Sequence, residues 1–234
     1  MPAPPLPLPE RIARRLPSQC EVCRRWGTAR FCAGCCAQFA PPGARCRRCA
    51  MPCAGAPAAC GACLREPPPF ERAFCVADYG FPWDRLIARF KFQGEAELAA
   101  PLARRLAEAA REAPTPDLML PVPLAPRRLA ERGYNQAWEL ARRLARLCGC
   151  AARADLLLRP VETRHQAELA RAERVANLRA AFCVEPHRRA LLARRRIALV
   201  DDVLTTGATA SEAARTLLAA GAAAVDVWVI ARTA

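Results

Sequence analysis

The sequence predicts an α/β fold, a mainly parallel sheet flanked by helices, preceded by a small cysteine-rich module. Three observations predict it. Between residues 74 and 230, short apolar runs of strand character alternate with longer runs whose apolar residues recur at helical spacing. Of the 14 cysteines, eight form four Cys-x-x-Cys pairs between Cys20 and Cys63. Near the C-terminus, the apolar run 196–200 leads into an acidic pair, a small polar loop and a helix. Open α/β sheets bind ligands at such carboxyl ends of their strands.

The chain of 234 residues has room for one sizeable core and a small module. A composition 53% hydrophobic and 25% charged is that of an ordinary globular protein. No apolar stretch approaches the ~18–20 residues of a membrane span, so no membrane insertion is expected. The proline-rich start, within a tail assigned to residues 1–18, lacks the basic head and apolar centre of a secretory signal. The cytoplasm is therefore the expected compartment.

Residues 19–66 form the cysteine module. A two-residue gap lets both sulfurs of a tight knuckle face one ion, and two knuckles complete a tetrahedral shell. Gly27, Gly34, Pro41, Pro42, Gly43, Pro52 and Gly55 supply the turns. The simplest partition is two sequential zinc sites: Cys20, Cys23, Cys32 and Cys35, then Cys46, Cys49, Cys60 and Cys63. An interleaved pairing is open at this point, and Cys36 and Cys53 are surplus. Four thiolates leave no open coordination position, so the zinc would be structural. A disulfide framework suits an exported chain better than this one, and an iron–sulfur cluster is a third reading. Cys75, Cys148, Cys150 and Cys183 lie outside the module and read as small buried hydrophobes. His165 and His187 are far from the pairs in sequence.

Pro67 to Pro69 form a stiff joint before an α/β domain at 70–234. Strand character appears at 74–79, 118–122, 154–159, 182–184, 196–200 and 225–230. Helical periodicity marks 83–92, 95–113, 134–147 and 211–220, the last stopped by Gly221. Residues 164–177 are polar and Arg-rich, the composition of a mobile loop.

The formal net charge is +14, and every basic residue except Lys91 is arginine. Arginine recognises phosphate bidentately, which points to nucleic acid or a phosphorylated ligand; a solvated basic surface is the plainer alternative.

Residues 196–209 carry the chemistry. The loop Thr205, Thr206, Gly207, Ala208, Thr209 enters a helix, and its backbone N–H groups and hydroxyls suit a phosphate dianion. Asp201 and Asp202 would repel that phosphate, so they should meet hydroxyl donors elsewhere on the ligand. A phosphate beside a cis-diol is a ribose 5-phosphate. A Gly-x-x-x-x-Gly-Lys P-loop is absent from this segment.

The run 200–209 resembles the signature with which type I phosphoribosyltransferases bind 5-phosphoribosyl-1-diphosphate (PRPP). Residues 121–128, 131–136 and 90–94, with Gln166, Arg174 and Asn177, are similar to the ComF family of competence-associated phosphoribosyltransferase-like proteins, which also carry an N-terminal double zinc ribbon. The resemblance spans residues 20–234. It implies a type I phosphoribosyltransferase-like fold and a site for PRPP with Mg²⁺. Asp201 and Asp202 would hold the ribose hydroxyls and serve catalysis, and residues 205–209 would hold the 5-phosphate. Lys91, Arg127, Arg128 and Arg132 are candidates for the diphosphate side. Tyr134, Asn135 and Gln136 either line the acceptor pocket or support that side.

Three functions compete. The first is a ComF-type phosphoribosyltransferase acting in DNA uptake or handling, with single-stranded DNA and a competence helicase or other competence proteins as partners. The others are a metabolic phosphoribosyltransferase using a nucleobase or amine, and a non-catalytic PRPP-sensing regulator. Trp26 and Phe31 are the module's candidates for base stacking, against the alternative of core packing.

Overall fold

The computed structural model describes residues 17–160 and 181–233. The Arg-rich segment 164–177, with Gln166, Arg174, Asn177 and His165, lies outside them. Contacts divide the chain between Pro42 and Gly43, so the two cysteine quartets fall in different compact units.

In the first unit, β1 (Ser18–Gln19) and β2 (Trp26–Gly27) pair antiparallel, and α1 (Ala33–Phe39) follows. In the second, α2 (Gly61–Arg65) closes the second quartet. Then come β3 (Arg72–Asp78), α3 (Trp83–Phe92), a 3-10 turn (Ala96–Leu98) and α4 (Ala99–Ala109). Next are β4 (Leu118–Pro121), α5 (Pro126–Arg132), α6 (Gln136–Cys148), β5 (Ala151–Ala152) and β6 (Leu157–Leu158). The chain ends with β7 (Cys183–Val184), a 3-10 turn (Pro186–Leu192), β8 (Arg196–Val200), β9 (Val203–Leu204), α7 (Ala208–Ala219) and β10 (Ala224–Arg232).

The main sheet runs β3-β10-β8-β4-β5, with β9 also paired to β10, and these pairings are parallel. All nine residues of β10 are buried, as a central parallel strand covered on both faces requires. Ile197 of β8 lies between Val225 and Leu118, which fixes the strands' carboxyl ends in register. Trp228 of β10 meets Phe74 of β3 edge-on at 5.9 Å between ring centres.

The expected mainly parallel sheet flanked by helices is thus observed. Helix α5 is an addition: its seven residues include no buried one, so no apolar period announced it. It starts on Pro126 at its N-terminal turn and stops at Gly133, whose φ of +76° ends the helix. No helix among the described residues is long and apolar enough to cross a membrane.

Candidate functional site

Strand β8 ends at Val200, and Asp201 and Asp202 emerge at the carboxyl edge of the sheet. The chain makes the short β9, turns, and enters α7 at Gly207, whose φ is +81°. A Cβ at Gly207 would meet nothing in the protein closer than Leu204 Cδ1 at 4.0 Å. The positive φ, not crowding within the fold, explains the glycine. A solvent-open pocket of about 300 Å³ lies here, lined by Asp201, Val203, Leu204, Thr205, Gly207 and Thr209, with Ala210, Val227 and Val229. Thr206 instead accepts from the Ala208 N–H at 3.3 Å, which tightens the turn. The twelve-residue helix α7 directs its positive end at this turn.

The acidic pair divides. Asp201 lines the pocket, and its Oδ1 accepts from the Asp202 N–H at 2.8 Å. Burial, then repulsion from Asp202, pushes the Asp201 carboxyl up to about 7, against the pull of Lys91 and Arg132. Asp202 is only 3% exposed and its carboxylate is turned to protein partners. Lys91 Nζ lies 2.8 Å from Oδ1, and Gln136 Nε2 donates to Oδ2 at 2.9 Å. Asn135 places that glutamine. Its side chain accepts from the N–H groups of Ala137 and Trp138, capping α6, and donates to the Val122 carbonyl beyond β4. Gln136 and Asn135 therefore support the acidic pair. Tyr134, in the turn between α5 and α6, donates to the Phe90 carbonyl and packs on the Phe90 ring, tying that turn to α3.

The basic candidates divide too. Lys91 sits in the last turn of α3, within the helix expected over 83–92. Arg132 lies over the exposed Phe92 ring at 4.9 Å, and its charge favours ionisation of Asp201. Arg127 pairs along its own helix with Glu131 at 2.9 Å, with both side chains largely exposed. Arg128 acts electrostatically on Arg159, whose guanidinium is lowered chiefly by burial and feels Asp201 as well. Sequence reasoning misses Arg159, because a single arginine before Pro160 carries no signal of its own.

The cysteines form two groups, Cys20–Cys23–Cys32–Cys35 and Cys46–Cys49–Cys60–Cys63, with all sulfurs of each within 4.8 Å of one another. This is the sequential partition. Cys23 and Cys32, and equally Cys49 and Cys60, are 3.7 Å apart. A tetrahedral shell with Zn–S of ~2.3 Å places its sulfurs about 3.8 Å apart, so the fit is good. The two centres repeat one design. The N–H of the third cysteine donates to the first sulfur, Cys32 to Cys20 at 3.4 Å and Cys60 to Cys46 at 3.1 Å. The residue after each second cysteine is left-handed, Arg24 at φ +61° and Ala50 at +58°. Burial opposes ionisation of Cys20, but backbone N–H groups, first that of Cys32, bring it down to about 6. The Cys63 N–H, against the opposing effect of burial, brings Cys60 down to about 7. Cys35 and Cys63 are pushed up by burial and by their neighbouring sulfurs, a crowding of charge that a dication relieves.

Cys36 and Cys53 stand outside both groups. Cys75 is buried, and burial pushes its thiol up to about 11. Cys148 and Cys150 are half-buried, and Cys183 is exposed, contrary to the buried reading. Phe31 is buried as core packing requires, whereas Trp26 is 70% exposed.

No family model matches the chain. It is 36% identical over 230 residues to the DNA utilization protein YhgH of Salmonella typhi, covering 93% of this chain and 98% of that one. It is 36% identical over 179 residues to competence protein F of Haemophilus influenzae, covering 74% and 78%. Competence protein ComFC of Bacillus subtilis is 32% identical over 152 residues, covering 64% and 59%. Among solved structures, the glutamine PRPP amidotransferase from B. subtilis complexed with ADP and GMP aligns at 18% identity and a TM-score of 0.41. That alignment covers 60% of this chain and 30% of the amidotransferase.

Proposed function

The chain belongs to the ComF family, with YhgH and competence protein F, and from that premise we propose that it is a phosphoribosyltransferase that binds PRPP with Mg²⁺ and acts in DNA uptake or handling. One observation carries the reading: Asp201 and the Thr205–Gly207–Thr209 turn share a pocket at the carboxyl edge of a parallel sheet. A phosphate dianion suits the turn and the helix end behind it. A ribose hydroxyl, as a donor, suits the Asp201 carboxylate.

In this reading residues 205–209 hold the 5-phosphate and Asp201 accepts from a ribose hydroxyl. Asp202, held by Lys91 and Gln136, keeps a second negative charge behind it. Mg²⁺ would be held chiefly by the ligand's own oxygens and water, and would neutralise part of the diphosphate charge. Arg132 and Arg159, each within electrostatic reach of Asp201, and Arg128, which acts on Arg159, supply positive charge. The bond from ribose C1 to diphosphate oxygen breaks with its electron pair leaving on diphosphate. The acceptor's lone pair forms the new bond to C1. The acidic pair stabilises the positive charge that develops on the ribose between these events, so catalysis is positioning and electrostatics.

Zinc is proposed for both quartets, in a structural role. The cytoplasm and a single-stranded DNA partner are part of the same proposal. The +14 charge and its arginine content support contacts to a phosphate backbone.

Calorimetric titration of PRPP with Mg²⁺ into wild type and Asp201→Asn/Asp202→Asn tests the site. Saturable binding lost in the double variant is expected. Diphosphate release on adding single-stranded DNA supports the DNA-linked reading. Release with one free base or amine supports a metabolic transferase, and binding without release supports a PRPP sensor. A folded, zinc-loaded wild type that binds no PRPP overturns the proposal.

A further inference from the structure

Within the unit Gly43–Ala234, one buried side chain touches both the second cysteine centre and the anion loop. Arg232 ends β10 and is 8% exposed. Its Nε donates to the Cys49 carbonyl at 2.9 Å. Its Nη1 donates to the Leu204 carbonyl at 2.9 Å, to the Thr205 carbonyl, and to the Thr233 carbonyl at 2.5 Å. Apart from the Thr233 hydroxyl, 3.4 Å from Nη1, these partners are backbone carbonyls, so the guanidinium is solvated chiefly by peptide dipoles. Burying a charge is costly without such bonds, and packing alone would be served by an aliphatic residue. The guanidinium fork reaches two places at once in a fixed plane, which an ammonium cannot do.

The two places matter. Cys49 is one of the four clustered cysteines. The next residue, Ala50, is buried in the same core cluster as Leu204, and its carbonyl accepts from Arg45, which also pairs with Asp78 at 2.7 Å. The knuckle is therefore seated in the core beside the loop. On the other side, Arg232 draws in the carbonyls of Leu204 and Thr205. Because a trans peptide is planar, the N–H groups of Thr205 and Thr206 then point away from Arg232. Holding these carbonyls fixes the direction of the amide donors of the anion loop.

We propose that Arg232 is a positioning residue that couples the second cysteine centre to the anion loop, so that metal at Cys46, Cys49, Cys60 and Cys63 and PRPP at the loop each strengthen the other's hold. This rests on the reading of residues 205–209 as the 5-phosphate cradle and of the quartet as a zinc centre. Metal closes the Cys46–Cys49 knuckle and fixes the Cys49 carbonyl, which fixes Arg232 and the loop carbonyls. Coupling between binding sites is reciprocal, so the loop's ligand must retain the metal by the same factor.

The test is zinc release from the full-length, zinc-loaded protein to a chromophoric chelator, with and without saturating PRPP and Mg²⁺. PRPP slows release of one of the two zinc ions about fivefold or more, at the low end of ordinary couplings. Cys23→Ser removes the first centre's phase and so identifies the phase that responds. Arg232→Lys, which keeps the charge and loses the fork, weakens PRPP binding by a similar factor and abolishes the effect on release. A purely structural arginine would not make zinc release depend on PRPP. Wild type that binds PRPP with both release phases unchanged overturns the coupling alone. Wild type that binds no PRPP overturns the PRPP reading and the coupling with it. If the lysine variant fails to fold, the wild-type measurement still decides whether the coupling exists.

Discussion

Replacing Lys91 by methionine removes a cation from beneath the acidic pair while keeping most of its apolar stem. Lys91 Nζ lies 2.8 Å from Asp202 Oδ1, with side chains 20% and 5% exposed. At an effective dielectric of ~20 the gross attraction is about 6 kcal/mol, and desolvation of the two ions offsets most of it. The variant nonetheless leaves a buried carboxylate with Gln136 as its remaining donor among the described contacts. Breaking a buried pair costs ~3–5 kcal/mol, and the partial exposure of Lys91 places this one near the lower figure, about 3 kcal/mol. Urea unfolding followed by the fluorescence of buried Trp83 and Trp228 measures it. The double variant Lys91→Met/Asp202→Asn should recover about 2 kcal/mol relative to the sum of the single changes, because no uncompensated charge is left inside. Single changes that add to within about 0.5 kcal/mol, or a Lys91→Met protein as stable as wild type, would refute the pairing argument.

Four other outcomes are expected. The Asp201 carboxyl is raised to about 7, and a donating ribose hydroxyl favours its ionised form. PRPP binding should therefore release a proton near neutral pH and strengthen as pH rises towards 7, levelling above it. Calorimetry in buffers of different ionisation enthalpy reads this, and Asp201→Asn should abolish it. The same raised carboxyl contributes stability at pH below its ordinary range of ~4, lost as pH rises through about 7. Asp201→Asn should accordingly melt higher than wild type at pH 8 while binding less well, and thermal scans at pH 5 and pH 8 check the sign. Elemental analysis should find two zinc ions per chain, unchanged in Cys36→Ser and Cys53→Ser. Chelation should expose residues 17–42 to protease, since their buried hydrophobic residues are chiefly two cysteines, Phe31 and Ala40.

Whatever depends on local spacing is legible in the amino-acid sequence of this protein. A two-residue gap between cysteines brings two sulfurs to one side of a turn wherever it occurs, so the spacing alone identifies the candidate ligand pairs. The buried run 196–200 and the residues that follow it, an acidic pair and then a loop with Gly207, likewise announce a strand, a turn and a helix start through neighbours in the chain. What depends on distant partners emerges only when the chain is packed. The partition into 20–35 and 46–63 required knowing which knuckles meet. The division of labour between Asp201 and Asp202 required Lys91 and Gln136, which approach from α3 and α6 and are remote in sequence. Arg127 looked equivalent to Arg132 as a basic residue after a turn. The helix α5 gives one a partner on its own surface and sets the other over Phe92, within electrostatic reach of Asp201. Arg232 is the extreme case. Along the chain it is one arginine at the end of an apolar strand, and its meaning lies in carbonyls 183 and 28 residues away. Hydrogen bonds to backbone carbonyls are blind to side-chain identity, so nothing in the sequence of those partners could have announced them.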